Sequence, residues 1–554
     1  MPTPTSSSEI ILVGSNGDSL IDALTTNGEK WKSPVITYSF PDYGSLWSTD
    51  LITGYGPNSD TGSEPWSLSF LPISSSDQIH FVEALQRWED VANIEFKFTQ
   101  ETSNNVGDIR AAFTHSDTLS AAAWTYFGAN RSVFNGDIWF DREGSAANEI
   151  WEPGTFSFMI VMHEIGHALG LDHPFEDSSF PVSLDTISKT IMSYSAIAGN
   201  QNSDFTFEPT TPMPLDISAI QYLYGPNNNY HSGNDSYSFG DSQTYHETIW
   251  DSGGINDLLS YTGIQDSSID LREGMGSIIG NAVYALDANT ENLIPNIWIA
   301  YDAVIENAQG GSGADLLTGN DVDNHLDGGA GNDQLYGGGG NDVFDWESDL
   351  RGGNDEMHGG PGNDTYVTDS LLDIIIESPG EGIDTIWAFE TYSIENISSV
   401  ENLYLSGEQS INATGNDLDN ELRGNEQDNL LTGNAGNDDL DGQRGDDMLL
   451  GGNGNDILRA GYGHDILDGG AGRDIFGFYA PGYFQISDLT IGEDNLFFDE
   501  EKIGISNLND LVGNITNISQ KDDGVIVEFG PSASIELVGI NLNDINADMV
   551  LFAL

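Results

Sequence analysis

Three of the ten histidines in this chain lie close together, at positions 163, 167 and 173. His163 and His167 are four residues apart, so a helix would place both imidazoles on one face, where they can bind a single zinc ion. Gly170 can end that helix and let the chain turn back to bring in His173 as a third ligand. Three histidines leave a coordination position for water, which is typical of a catalytic zinc. Glu164, beside the first ligand, is placed to take a proton from that water.

The alternative interpretation is an amphipathic helix that carries histidines by chance. The third histidine at a fixed offset and the glycine at the bend favour the metal site instead. A second element, Ile191-Met192-Ser193-Tyr194, follows the histidines. An H-E-x-x-H-x-x-G-x-x-H segment followed by a methionine turn is the metzincin signature. The sequence motif H-E-I-G-H-A-L-G-L-x-H-P, together with M-S-Y, resembles that of the serralysin family of secreted zinc endopeptidases.

This resemblance implies an α+β metzincin catalytic domain. Met192 would form the floor of the zinc site, and Tyr194 would reach the metal or the oxyanion that develops during hydrolysis. The strand around Ala122, Ala123, Trp124 and Thr125 resembles the family's edge strand, which can hold an extended peptide substrate by main-chain pairing. An ordinary core strand remains an equally good interpretation of that segment.

The helix expected before the zinc motif has an apolar face that recurs at helical spacing. That face is predicted to consist of Ile79, Val82, Leu85, Trp88 and Val91.

The amino-acid composition limits the classes of partner that the protein can bind. The 554-residue chain has 16 basic and 89 acidic residues, a net charge of −73, which excludes nucleic acid and disfavours anionic membranes. Cysteine is absent, so the chain has no disulfides and no thiol to keep a zinc site latent. No apolar run is long enough for a membrane span, and the N-terminus lacks the features of a Sec signal.

The second half of the chain repeats with a period of nine residues. The pattern G-G-x-G-x-D-x-U-x is the calcium-binding repeat of RTX proteins, and it predicts an all-β parallel β-roll after the catalytic domain. Glycines expose carbonyl oxygens, aspartates add hard anionic oxygens, and both suit calcium. A disordered acidic tail is the alternative, but an apolar residue kept in phase through the repeats argues against it. The predicted calcium-binding residues are Gly311, Gly313, Asp315, Gly329, Gly331, Asp333, Gly338, Gly340, Asp342, Asp355, Gly360, Gly362, Asp364, Gly436, Asp438, Gly445, Asp447, Gly452, Gly454, Asp456, Gly461, Gly463, Asp465, Gly470, Gly472 and Asp474.

A joining segment before these repeats resembles the W-D-x-G-G-N-D calcium turn of serralysins. It reads Trp250-Asp251-Ser252-Gly253-Gly254-Ile255-Asn256-Asp257. Ile255 is an insertion relative to that pattern, so the ligand role of Asp257 is left open.

The motifs predict four regions. Residues 1–27 are expected to be a flexible leader or short propeptide, and residues 28–225 the zinc protease domain. Residues 226–477 would form the RTX roll, with repeat blocks at 310–364 and 415–477. Residues 478–554 would cap the roll and carry a type I secretion signal, because the acidic residue before an apolar end is similar to such signals.

The resemblance implies a secreted, extracellular zinc endopeptidase that is a monomer with one catalytic Zn²⁺ and several structural Ca²⁺. Its partners would be polypeptide substrates and a type I secretion exporter. A secreted RTX calcium-binding adhesin with an inactive protease domain is the alternative. An RTX lipase would need a G-x-S-x-G turn, which the chain lacks.

Overall fold

The computed structural model describes residues 9–25, 28–50, 54–56, 64–65, 70–115, 122–128, 134–143, 149–345 and 352–553. It divides into two compact units, Met1–Asn307 and Ala308–Leu554. The boundary predicted after residue 225 stays a prediction, and parallel pairing of the roll type begins soon after it, where Ser236–Phe239 pairs with Leu258–Tyr261. Strand Val283–Leu286 pairs with Asp204–Phe205 of the expected protease domain, so the chain after 225 first completes that unit. No helix among the described residues is both long and apolar enough to cross a membrane.

The described residues of the first unit form a five-stranded sheet and four α-helices. The sheet has the order β4 (Glu95–Phe98), β3 (Val35–Ser39), β5 (Ile109–Thr114), β7 (Asp137–Asp141) and β6 (Ala123–Thr125); the first four strands are parallel and β6 is an antiparallel edge strand. The bounds are β1 Ile10–Leu12, α1 Ser19–Ala23, β2 Glu29–Trp31, β3 Val35–Ser39, α2 Ser75–Val91, β4 Glu95–Phe98, β5 Ile109–Thr114, β6 Ala123–Thr125, β7 Asp137–Asp141, α3 Phe156–Leu169 and α4 Pro214–Tyr224.

Shorter elements complete the first unit. They include the 3₁₀ turns Pro174–Glu176 and Val182–Leu184, and the strands Asp204–Phe205, Ser236–Phe239, Glu247–Ile249, Leu258–Tyr261, Ser268–Asp270, Gly276–Ser277, Val283–Leu286, Glu291–Ile294 and Ile297–Ile299.

The apolar face of α2 is rotated from the predicted one. Leu85, Trp88 and Val91 are buried as expected, and Trp88 donates its indole hydrogen to the Met162 carbonyl 3.2 Å away. Ile79 and Val82 are exposed, however, while Phe81 and Ala84 fill the core instead. The prediction was wrong at the N-terminal end because its five positions are each three residues apart, and a strict spacing of three drifts around a helix of about 3.6 residues per turn. The buried Phe81, Leu85 and Trp88 are instead spaced four and three apart.

Helix α3 is the central element of the first unit. The Thr155 side chain accepts a hydrogen bond from the Phe158 amide and caps its N-terminus. The helix ends at Gly170, whose φ of +105° is left-handed and whose amide bonds back to the carbonyls of Gly166 and His167. The predicted termination at this glycine is confirmed.

The segment 9–25 is not a flexible leader. Strand β1 pairs antiparallel with β2, and Asp18 caps α1 by accepting from the Leu20 amide. Leu24 is fully buried, and its carbonyl accepts from the Asp172 amide beside the third histidine. The composition is polar and hides the few apolar residues that anchor this segment; the alternative, a short propeptide, stays a prediction. Residues 1–8 and 26–27, also assigned to the leader, lie outside the described residues.

The second unit is a roll of short parallel strands, which confirms the predicted β-roll. One row of parallel strands, row A, contains His325–Asp327, Val343–Phe344, Thr365–Thr368, Thr385–Ala388, Asn402–Leu405, Glu421–Arg423, Asp439–Asp441, Ile457–Ala460, Ile475–Phe478, Asn495–Phe498 and Val550–Leu551. A second row, row B, contains Leu316–Thr318, Gln334–Tyr336, Glu356–His358 and Ile374–Ile376. Strand Asn307–Gln309 lies at the boundary between the units.

A third row, row C, lies in the C-terminal half of the roll. Its parallel strands are Tyr392–Ser393, Ala413–Thr414, Leu430–Ala435, Met448–Asn453, His464–Ala471, Tyr483–Ile486 and Ser534–Val538, followed in space by the antiparallel strands Gly524–Glu528 and Asn517–Gln520. Helices Glu500–Ile503 and Leu508–Asn514 and the 3₁₀ turns Leu542–Asp544 and Ala547–Met549 complete the unit. The roll thus continues beyond residue 477, where the repeat motif ends. Phe484 and Ile486 are alternate residues of the next strand, and both side chains are buried.

Each coil of the roll takes two nonapeptides. Strand Leu430–Ala435 pairs in parallel with Met448–Asn453, so residues eighteen apart are neighbours. The apolar residue of each repeat points inward, as predicted: Leu317, Leu326, Leu335, Phe344, Leu422, Leu431, Leu440, Leu449, Leu458, Leu467 and Phe476 are all fully buried. In the loops, a Cβ at Gly454 would overlap the Gly436 carbonyl one coil away, which explains the need for glycine there.

We predict that Gly170→Ala destabilises the first unit by about 2–4 kcal/mol. Alanine disfavours a positive φ, which costs about 1–2 kcal/mol, and its Cβ would also overlap the Glu29 carbonyl oxygen. Gly17→Ala is the control, since Gly17 has a φ of +87° with no atom near its Cβ position. Urea unfolding of both variants measures the difference. Equal losses would contradict a role for the Glu29 contact.

Candidate active site

The three histidines of the predicted zinc site converge in the structure. His163 and His167 lie on α3, and His173 follows the turn at Gly170. The Nε2 atom of His173 is 3.0 Å from Nε2 of His167 and 3.3 Å from Nε2 of His163. A tetrahedral zinc with bonds of about 2.0–2.1 Å would separate its ligand nitrogens by about 3.3 Å. The three nitrogens are therefore spaced to bind one such ion.

The opposite nitrogen of each imidazole has an oxygen partner. Nδ1 of His163 donates to the Ile191 carbonyl at 2.7 Å, and Nδ1 of His167 donates to the Leu171 carbonyl at 2.9 Å. Nδ1 of His173 is 3.1 Å from a carboxylate oxygen of Glu176. Because these oxygens only accept, the proton lies on Nδ1 and leaves each Nε2 lone pair free for a metal.

Burial keeps two of these imidazoles neutral. It lowers the pKa of His167 to about 3, and the nearby His173 lowers it further. Burial likewise holds the pKa of His163 well below its usual value. The Nε2 atoms of these two neutral rings carry no proton and cannot hydrogen-bond to each other, so their lone pairs are suited to a cation.

Glu164 lies beside the histidines, and its carboxylate is held by the edge strand. The Thr125 hydroxyl is 2.7 Å from Oε2 of Glu164 and 3.1 Å from the Glu164 carbonyl oxygen. Burial raises the pKa of Glu164 to about 8, and the bond from Thr125 opposes that rise. The sequence assigned Thr125 only to main-chain substrate pairing, so its contact with Glu164 is an addition from the structure.

The methionine turn lies beneath the histidines. Met192 is fully buried, and a Cβ on Gly166 of α3 would press against its sulfur, so the two segments are in close contact. The Tyr194 hydroxyl is 2.9 Å from Nε2 of His173 and hence beside the predicted metal position. Burial and the charge of Glu164 raise the pKa of Tyr194 to about 12, so the hydroxyl keeps its proton.

Asp216, which the sequence analysis did not assign to the site, anchors this turn. Its carboxylate accepts from the Thr190 hydroxyl at 2.6 Å, the Ile191 amide at 2.7 Å and the Met213 amide at 2.9 Å. Ile191 in turn supplies the carbonyl that orients His163. The relevant signal in the sequence was a buried acid in the first turn of α4, which also has a capping role.

A cavity of about 300 Å³ opens beside His163, Glu164 and Tyr194. Ala122 and Ala123, at the start of the edge strand, form part of its wall. Trp124 instead donates its indole hydrogen to Glu64 at 3.0 Å. Of the four residues predicted to bind substrate, Ala123, Trp124 and Thr125 thus lie on the edge strand β6, and Ala122 immediately precedes it.

The repeat aspartates form a ladder along the roll. The Asp438 amide donates to Oδ1 of Asp456 at 2.9 Å, and the Asp456 amide donates to Oδ1 of Asp474 at 2.9 Å. The other oxygen, Oδ2, is buried without a hydrogen-bond partner in several of these residues. They are Asp342, Asp364, Asp438, Asp447, Asp456 and Asp465. Since a buried unpaired carboxylate oxygen is costly, each position calls for a cation.

Two further groups of carboxylates converge. Asp235, Asp251 and Asp257 lie together in the first unit, and Asp257 is fully buried with Oδ2 unpartnered. The inserted Ile255 is 86% exposed, so it bulges outward and does not displace Asp257 from the group. Asp364, Glu377 and Asp384 form the second group, in the roll.

Comparisons with known proteins agree with this geometry. Residues 71–198 match the matrixin family model, and residues 158–293 match a Met-zincin model. Four segments, 309–344, 351–370, 414–449 and 442–476, match the RTX calcium-binding nonapeptide repeat. The chain thus carries a metzincin domain followed by RTX repeats, classes that imply a catalytic zinc and several calcium ions.

Similar proteins indicate which kind of metzincin the chain resembles. Serralysin of Proteus mirabilis is 31% identical over 328 residues, covering 51% of this chain and 63% of the relative. Metallopeptidase AprA of Pseudomonas marginalis is 31% identical, covering 52% and 63%, and serralysin A of Dickeya chrysanthemi is 30% identical, covering 53% and 66%. The matches therefore span slightly less than two thirds of these relatives. Together the findings support a serralysin-type metzincin with RTX repeats.

We predict that Asp216→Asn weakens zinc binding by about 10–100-fold, because an amide cannot accept from all three donors and the Ile191 carbonyl loses its fixed position. Asp185→Asn is the matched control. Asp185 accepts only the Ser193 hydroxyl in the same turn, at 2.7 Å, and an amide oxygen can replace it. Competition with a chromogenic chelator measures both affinities. Unchanged affinity in Asp216→Asn would contradict the positioning role.

Proposed function

We propose that this protein is a secreted zinc-dependent endopeptidase that hydrolyses internal peptide bonds of extracellular proteins. The observation that carries the proposal is the convergence of three Nε2 atoms beside a buried glutamate. The relatives named serralysin support the same activity. The full set of ligands and the glutamate argue against the alternative of an inactive domain in an adhesin.

His163, His167 and His173 would hold the zinc ion, and Glu164 would act as the general base. Zinc, when bound, supplies a Lewis acid that lowers the pKa of a water molecule toward 7 and polarises the scissile carbonyl. Glu164 takes the proton from the attacking water and returns it to the leaving amine. Thr125 holds the carboxylate in place during both transfers.

Tyr194 and strand β6 would act on the substrate. The Tyr194 hydroxyl, beside Nε2 of His173, donates a hydrogen bond to the developing oxyanion. Strand β6 has a free side in the sheet order of the described residues, so Ala122 to Thr125 can pair with an extended peptide.

We predict that Glu164→Gln abolishes casein hydrolysis and retains one zinc per chain, because the glutamine keeps the shape but cannot accept the proton. Zinc is measured by plasma emission on the same preparation. His167→Ala is the contrasting variant and is expected to lose both zinc and activity. Loss of zinc in Glu164→Gln would make Glu164 a ligand, and full activity would refute the mechanism.

We also propose that the roll folds on calcium outside the cell, after export of a monomer by a type I secretion exporter. At −73 overall, the buried aspartates of an ion-free roll repel one another. One apolar residue in nine offsets little of the entropy lost by ordering glycine-rich loops. Calcium removes the repulsion, so its binding energy becomes folding energy.

We expect the full chain to gain β-structure cooperatively as calcium rises to about 10⁻⁴–10⁻³ M, the range of extracellular calcium modules. The Glu164→Gln variant is used so that self-cleavage does not confuse the measurement. Circular dichroism follows the titration from chelator upward, and magnesium serves as the control ion. A spectrum that is already complete in chelator, or an equal response to magnesium, would contradict calcium-dependent folding.

A further inference from the structure

The cavity beside the histidines has one apolar wall and one polar wall. One side is apolar and consists of Phe156, Met159, Ile160 and Ile187. The other side is polar and includes Gln201, Ser203, Asp204 and Glu208. The described residues that line the cavity include no lysine or arginine. Its charge is therefore negative and locally unbalanced.

Glu208 is the key residue of the polar wall. It is only 6% exposed, and its Oε2 atom has no hydrogen-bond partner. Burial raises the pKa of Glu208 to about 7, and the charge of Asp204 raises it further, while a bond from the Phe205 amide opposes both effects. A buried carboxylate oxygen without a partner is costly unless a ligand supplies a donor.

A basic side chain has the shape and charge that this cavity requires. Lysine and arginine carry an aliphatic stem that packs against apolar walls and a cationic end that seeks carboxylates. Acidic side chains would face Asp204 and Glu208 and be repelled. An apolar side chain would fill the walls but leave Glu208 unpaired.

We propose that this cavity selects substrates with lysine or arginine next to the scissile bond, with Glu208 as the specificity-determining residue. This inference rests on the proposed endopeptidase function and adds the substrate class to it. The cavity is continuous with His163, Glu164 and Tyr194, so the side chain it holds belongs to a residue adjoining the bond that is cut.

The test compares quenched fluorescent peptides that differ at one position. Lysine, norleucine or glutamate is placed on either side of a single cleavable bond, and norleucine keeps the stem of lysine without its charge. At pH 8, where Glu208 is ionised, we expect kcat/KM for the best lysine peptide to exceed that of its norleucine analogue by about 10-fold or more. The glutamate peptide should be the poorest of the three.

Two variants identify the residue responsible. Glu208→Gln should reduce the lysine-to-norleucine ratio to within about 3-fold, because the amide no longer attracts a cation. Glu152→Gln, which removes an exposed carboxylate outside the cavity, should keep the wild-type ratio. Thermal unfolding of both variants checks that they are folded. A ratio unchanged by Glu208→Gln would overturn the assignment of Glu208.

The wild-type measurements alone separate the two hypotheses. Cleavage of all peptides at equal rates would overturn the inference and leave the proposed function standing. Failure to cleave any peptide, with zinc bound, would refute the proposed function, and the inference would fall with it.

Discussion

The site depends on hydrogen bonds that hold the far side of each imidazole. The backbone carbonyls of Ile191 and Leu171 accept hydrogen bonds from Nδ1 of His163 and His167, respectively. Both rings are therefore fixed with Nε2 facing the same point. Neither carbonyl would be in place without the surrounding fold. Leu171 follows the left-handed turn at Gly170, and Ile191 is held by Asp216 from the next helix. Metal geometry is thus set by backbone positions before any ion binds.

Features that are local in the sequence could be predicted from it. The histidine spacing, the glycine that ends α3 and the nine-residue period each need only a short stretch of chain, and the structure agrees with all three. The buried repeat residues, Leu431 and Leu449 for example, follow directly from the period, because each coil repeats the environment of the one before it.

Contacts between distant segments could not be predicted. Thr125 and Glu164 are 39 residues apart, and nothing in either segment indicates that a hydroxyl of the edge strand meets the carboxylate. The position of Asp216 at the start of a helix explains it as a capping residue, so its contact with the Ile191 amide could not be expected from the sequence. The same reason applies to the pairing of Phe205 with Ala285, which joins segments that composition alone assigns to different domains.

Buried polar groups are compensated differently in the two units. In the first unit His163 and His167 are neutral, their Nδ1 atoms donate to backbone carbonyls, and the Thr125 hydroxyl donates to Glu164. Such a site can exist without its metal, because little charge is left uncompensated. In the roll, aspartates such as Asp438 and Asp456 are almost fully buried with one oxygen unpartnered, and Asp342, Asp364, Asp447 and Asp465 repeat this arrangement. Repetition multiplies this cost along the roll, which supports the proposal that a bound cation is a condition of its folding, whereas the histidine site would need its metal for the proposed chemistry alone.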